Sequence, residues 1–246
     1  MLMKWYIPRE HGAWSMWMTP FIMGALVSPW TILQLPAFMG ILFFYLASGS
    51  LFAIIRPNRK KESPLPSLIV FLALGLAFMV YPLWNHPEIA LYGVIVFALL
   101  LINIHFARKR KERVMTNNLV AVVALTSTVL ASAHLGYGAF RLDGVVLWVL
   151  SSAFFMGSVF FVRSLIRENR NPAFKTRANR YHGLIVLAPL SLGQWWASIA
   201  LLPSAIKVWL TPFHIKLRTK VIGVVEIVSS VVFLVLTVLL YRSPFV

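Results

Sequence analysis

Apolar runs of about 20 residues alternate with short polar links along the whole chain, and this alternation predicts the elements. An α-helix rises 1.5 Å per residue, so about 20 mostly apolar residues cross a bilayer core. By that rule spans are expected near 13–33, 37–55, 66–84, 89–106, 117–136, 143–165 and 221–241. The apolar region 182–213 is too long for one span and short for two. Pro189 and Pro203 interrupt it, and a single helix would leave Lys216, Arg218 and Lys220 on the wrong face. Two short helices near 182–198 and 199–213, broken or tilted, are therefore expected. The expected architecture is an all-α, polytopic bundle of about nine transmembrane helices, with residues 1–246 forming one integral-membrane domain.

Composition supports the lipid reading. The chain is 59% hydrophobic and 12% charged, with a mean hydropathy of +0.80, whereas a soluble domain carries about 25% charged residues. Lys4 is followed by Trp5, Tyr6, Pro8 and three ionisable residues rather than a short apolar core, so the first helix is expected to stay in the mature protein. Cysteine is absent, which excludes disulfides and thiolate metal sites.

The net charge of +16 suggests nucleic acid, but its distribution argues for a bilayer. If the N-terminus is cytoplasmic, every one of the 23 basic residues except Arg141, Lys207 and Arg242 falls on an internal segment. The external links 28–36 and 84–88 carry no Lys or Arg. Positive-inside topology produces this asymmetry, placing the N-terminus inside and the C-terminus outside. Trp30, Trp84, Trp148, Trp195 and Trp196 fall near the expected outer ends, where an aromatic belt belongs. The expected location is the bacterial cytoplasmic (inner) membrane.

Candidate chemistry gathers at the inner ends. An Arg-x-Asn-Arg string closes two apolar runs, as Arg56-Pro57-Asn58-Arg59 and Arg167-Glu168-Asn169-Arg170. It recurs as Arg177-Ala178-Asn179-Arg180 just before the next apolar run. Guanidinium forks match phosphate and carboxylate geometry, so these strings are candidate anion ligands. Snorkelling to the interface is the competing explanation for each of them. Arg163, Arg167 and Arg170 are spaced to share one helical face. At the threshold of the first span, Arg9, Glu10 and His11 offer a base, an acid and a proton-exchanging imidazole, or simply a cap and an anchor.

Within the spans, Tyr45, Ser48, Gly49 and Phe52 share a face with Arg56. Hydroxyl and small residues also cluster at Thr126-Ser127-Thr128, Ser132, Ser151, Ser152, Gly157 and Ser158. Such faces either pack closely or line a cavity. Glu226 is a lone carboxylate about a turn and a half into the last span, and its cost in lipid implies a partner. Arg9, His11 and Arg163 are the expected candidates. His182 is expected to face the same basic mouth, while His105 and His134 show no metal-ligand spacing. There is no Gly-rich phosphate loop, Ser/His/Asp arrangement or zinc pattern, so neither cofactor nor metal is expected.

The heptad Pro8-Arg9-Glu10-His11-Gly12-Ala13-Trp14 resembles the YwiC-like family of bacterial membrane proteins, a likeness that runs the length of the chain. A more distant resemblance is to UbiA-type membrane prenyltransferases. They have nine helices and functional loops after helices 2 and 6, where two of the Arg-x-Asn-Arg strings lie. The basic cluster Arg108-Lys109-Arg110-Lys111 followed by Asn117-Asn118 also looks similar. That resemblance implies a UbiA-like bundle with a cytoplasm-facing cavity and a prenyl diphosphate ligand. The chain departs from it in lacking Asp-rich motifs: segments 52–63 and 163–183 contain only Glu62 and Glu168 as acids. A two-metal diphosphate site cannot be assembled from them.

The expected function is binding of an anionic amphiphile, an isoprenoid or lipid phosphate, by a basic cavity. Any enzymatic step would be a transfer acting on a prenyl or lipid phosphate. The alternatives are a transporter or flippase, favoured by the interrupted region and Glu226, and a non-catalytic assembly subunit. The bilayer and the amphiphile are the expected partners; nucleic acid is not.

Overall fold

In lipid no water is available to the backbone, so every peptide group must be satisfied within the protein, and helices do this segment by segment. The computed structural model describes residues 5–8, 11–55, 63–215 and 217–242. Every regular element among them is helical: α1 (His11–Val27), α2 (Gln34–Ile55), α3 (Leu65–Asn85), α4 (Ala90–Arg108), α5 (Met115–Thr126), α6 (Thr128–Tyr137), α7 (Leu142–Ile166), α8 (Pro172–Ser191), α9 (Trp195–Leu210) and α10 (Thr219–Tyr241). A short 3-10 turn, Pro87–Ile89, joins α3 to α4. Six segments are long and apolar enough to cross a membrane: α2, α3, the turn with α4, α5 with α6, α7 and α10. The chain is a multi-pass membrane protein. Leucines, valines and phenylalanines left exposed along α3, α4 and α10 are the surface that lipid covers.

Successive rods alternate between two ends of the bundle, as cross-chain bonds show. At one end Ser50 Oγ lies 2.8 Å from Ser67 Oγ, and Lys175 Nζ donates to the carbonyls of Val208 and Thr211 at 2.7 and 3.0 Å. At the opposite end Gln34 Nε2 donates to the Ser132 carbonyl at 3.0 Å, and Thr31 Oγ1 donates to that of Leu135 at 3.3 Å. α1 is central, packing against α5, α6, α7 and α10. Phe154 of α7 stacks on Phe233 of α10 with centroids 4.1 Å apart, joining those helices in the core.

Besides α1, which ends at Val27 rather than near 33, three boundaries differ from the expected ones. The fifth span is broken at Ser127, between α5 and α6. Hydroxyl groups take the carbonyls around the break: Thr126 Oγ1 donates to Val122 (2.8 Å) and Ser127 Oγ to Ala124 (2.7 Å). Trp148 Nε1, expected in an outer belt, instead donates to the Val123 carbonyl at 3.0 Å. Trp196 is buried too, whereas Trp30 and Trp84 are exposed as a belt requires. Secondly, α8 begins at Pro172, not near 182, so Arg177-Ala178-Asn179-Arg180 is helical. Asn171 caps it, its Oδ1 accepting from the Phe174 amide at 3.1 Å. Thirdly, Pro189 and Pro203 both lie inside helices. The chain turns instead through Leu192–Gln194, where Gly193 adopts φ +75°, a left-handed conformation that favours glycine.

The segment leading into α1 crosses α2 at Gly49. A Cβ there would lie 2.7 Å from Pro8 Cδ and 2.9 Å from the Tyr6 carbonyl, while Ser50 Oγ donates to that carbonyl at 3.4 Å. Gly49→Ala is expected to lift residues 6–8 off α2 at a cost of about 1–3 kcal/mol, as overpacking does. Thermal unfolding in detergent should show the loss, and limited proteolysis should cut ahead of α1 faster than in the parent chain.

Candidate functional site

A cavity of about 1360 Å³ runs through the bundle between α1, α2, α4, α5, α7 and α10, with residues of α3 and α6 completing its wall. At one end it is bounded by Ile7, Pro8, Ala53, Arg163, Arg167 and Thr219, and toward the other by Leu83, Ile89 and Tyr92. Its wall is mainly apolar. The α2 face named from the sequence, Tyr45, Ser48, Gly49 and Phe52, lines it as one of the two readings required. The charged groups lie toward the arginine end, where Arg163, Arg167 and Glu226 stand with Asn103, Asn118 and Ser158; Ser127, Thr128 and Ser230 line the middle and Tyr92 the far part.

The arginines are held by α7 and the loop that follows. Arg163 Nη1 donates to the Arg113 carbonyl at 3.2 Å and Nη2 reaches Glu168 Oε1 at 3.3 Å. Glu168 is fixed in turn by Asn171 Nδ2, which donates to Oε2 at 2.9 Å. That hydrogen bond, helped by Arg163, holds the Glu168 carboxyl below its ordinary pKa. Partial desolvation lowers the pKa of Arg167, an exposed residue, below its ordinary value, and the like charges of Arg113 and Arg163 add to the effect. Crowded cations of this kind are relieved by an anion. Ser158 Oγ, Arg163 Nε and Glu226 Oε2 are buried without a hydrogen-bond partner among the described residues.

Other expected site residues are placed elsewhere. α7 ends at Ile166, so Arg167 caps it and Arg170 lies beyond it, exposed and away from the cavity; the three arginines do not continue one helical face. Asn169 spends its amide on the carbonyls of Leu165 (3.2 Å) and Ile215 (2.8 Å), tethering the loop to the α9–α10 link. Arg177 and Arg180 line a separate groove of about 420 Å³ with Arg163 and Phe174. Asn179 stands beside that groove on α8, half-buried, and its carbonyl accepts from Trp209 Nε1 at 3.3 Å. Asn117 Nδ2 donates to the Glu112 carbonyl at 2.8 Å, bracing the turn into α5, while Asn118 faces the cavity. His182 does not face the mouth: it is fully buried against Gly157, with Nδ1 2.8 Å from the Ala178 carbonyl. Arg9, Glu10, Arg56, Asn58, Arg59 and the side chain of His11 lie outside the described residues.

Among the described residues the partner of Glu226 is Lys207, with Nζ 2.5 Å from Oε1, and not Arg163; Arg9 and the side chain of His11, the other expected partners, lie outside them. Both side chains are nearly buried, and Lys207 also sits 4.4 Å from the centre of the Phe161 ring. Spacing in the sequence gives no hint of this, because the two residues lie on different helices and Lys207 looked like an exception to the charge pattern. A second cluster went unread for the same reason: His86 and Glu88, in the α3–α4 turn, meet His134 at the end of α6. The sequence shows no metal-ligand spacing around His134, because the two residues it meets come from a distant turn.

Removing one member of a buried ion pair strands the other, at a typical cost of 3–5 kcal/mol, whereas replacing both by apolar residues is often neutral. Lys207→Met should therefore lower the unfolding midpoint in detergent strongly, and the double replacement Lys207→Met with Glu226→Leu should recover most of that loss.

The family model described as YwiC-like protein matches residues 7–134. A Bacillus subtilis (strain 168) protein described as uncharacterized protein YwiC is 35% identical over 237 residues, covering 94% of this chain and 96% of its own. An uncharacterized protein of Haemophilus influenzae is 23% identical over 236 residues, 95% of this chain and 98% of its own. No solved structure matches significantly. On the family model and the near-full-length Bacillus likeness, the chain belongs to the YwiC-like family.

Proposed function

We propose that this protein holds an anionic isoprenoid or lipid phosphate in the inner membrane of a bacterium, with the tail in the long cavity and the phosphate at Arg163 and Arg167. The observation that carries the reading is a mainly apolar cavity whose charged lining lies toward one end, beside crowded guanidiniums. Its volume of about 1360 Å³ exceeds the roughly 300–1,000 Å³ typical of pockets for drug-sized ligands. A long chain suits it better than a compact metabolite. In this reading the bundle is a single domain, UbiA-like in layout, with the N-terminus in the cytoplasm. The concentration of basic residues at the arginine end supports that orientation.

Arg56, Asn58 and Arg59 follow α2 just beyond Ala53, which borders the same mouth, and would complete the phosphate site. Arg9, Glu10 and His11 follow Pro8, which borders that mouth as well. Binding by guanidinium needs no carboxylate-held metal, in keeping with the two described carboxylates nearest the mouth: Glu168 is engaged by Arg163 and Asn171, and Glu226 by Lys207. The reading is therefore of binding or handling a phosphorylated lipid rather than Mg-dependent prenyl transfer. A transporter or flippase is the second reading, favoured by Glu226, a residue lining the path whose buried Oε2 lacks a partner among the described residues. Flux in proteoliposomes would separate it from occupancy alone.

Each charge-assisted hydrogen bond is worth about 1.5–3 kcal/mol. The double variant R163Q/R167Q should therefore bind prenyl phosphate at least ~100-fold more weakly by native mass spectrometry in mild detergent. Unchanged retention would remove the basis for the proposal.

A further inference from the structure

At the end of the bundle opposite the arginines, three side chains from two distant links converge on a single point. His86 closes α3, Glu88 lies in the 3-10 turn, and His134 is in the last turn of α6. Glu88 Oε1 stands 3.2 Å from His86 Nδ1 and 3.1 Å from His134 Nε2. Apolar packing sets these positions. Ile89 and Leu135, the neighbours of Glu88 and His134, are buried in one cluster with Phe21 and Ala37. The three ligand atoms all lie within 4.8 Å of one another.

We propose that His86, Glu88 and His134 bind a zinc-class divalent cation that clamps the α3–α4 turn to the end of α6. Two imidazoles and one carboxylate are a donor set suited to zinc and its neighbours. Bonds of about 2.0–2.2 Å place tetrahedral ligands roughly 3.3 Å apart, close to the two distances observed here. Small rotations of these side chains would admit the ion. The shell behind the ligands also fits: Tyr92 Oη lies 2.9 Å from His134 Nδ1. With the cation on Nε2, Nδ1 keeps its proton and donates it to Tyr92, which fixes tautomer and ring orientation. The Glu88 side chain is 49% exposed and that of His134 5%, so the cation has a route in, and its fourth position opens to water. The clamp is independent of the lipid site, although Tyr92 also lines the far part of that cavity.

The test uses the full chain, purified in detergent without a histidine tag, stripped with chelator and titrated with Co²⁺ and then Zn²⁺. The expected result is one Co²⁺ per chain with the visible absorption of a tetrahedral site, displaced by Zn²⁺. His86→Gln and Glu88→Gln, both at solvent-reached positions, should each weaken binding at least ~10-fold, the loss that even outer-shell changes produce. Tyr92→Phe should weaken it less than either ligand replacement. Absence of saturable Co²⁺ binding in the folded parent chain, or binding that both ligand variants leave unchanged, would overturn the proposal. The three residues would then be a hydrogen-bonded chain only.

Discussion

A bilayer core supplies no water, so each polar group placed in it must find its partner inside the protein. That constraint accounts for the features of this bundle that composition alone does not. The fifth span can break at Ser127 because Thr126, Ser127 and Trp148 supply donors to the carbonyls around the break. The approach to α1 can lie across α2 because Ser50 reaches the Tyr6 carbonyl and Gly49 leaves room for it. Glu226 is tolerated inside α10 because Lys207 of α9 meets it.

The same constraint gives meaning to the exceptions. Buried polar atoms without partners are costly, and among the described residues four of them, on Trp17, Ser158, Arg163 and Glu226, belong to residues lining one cavity. The surrounding wall is apolar over most of its length. A molecule with one charged end and a long apolar body satisfies both conditions at once. A small anion would meet the arginines but leave the apolar length unfilled.

The rods themselves were readable from the sequence, since a run of about 20 apolar residues has few other uses. The α2 cavity face was readable too, because Tyr45, Ser48, Gly49 and Phe52 recur at helical spacing. The start of α8 was not. Lys175, Arg177 and Arg180 interrupt the apolar count there, although a helix can carry charge wherever it projects from lipid. Pro189 and Pro203 suggested breaks inside the membrane. Both instead continue helices, and the turn falls at Gly193, where φ and not hydropathy decides. Pairs such as Lys207 with Glu226, and Glu88 with His134, join elements far apart in the chain, and a single sequence carries no record of such contacts.

The central claim is that the apolar cavity and the arginines at its end form one binding site. A density map of the full chain in lipid nanodiscs tests it most directly. An elongated density is expected, with its head within hydrogen-bond reach of Arg163 and Arg167 and its tail running toward Leu83 and Tyr92. A cavity closed by α2 and α4 against α1, or arginines turned outward more than about 8 Å from one another, the screening length in physiological salt, would contradict it.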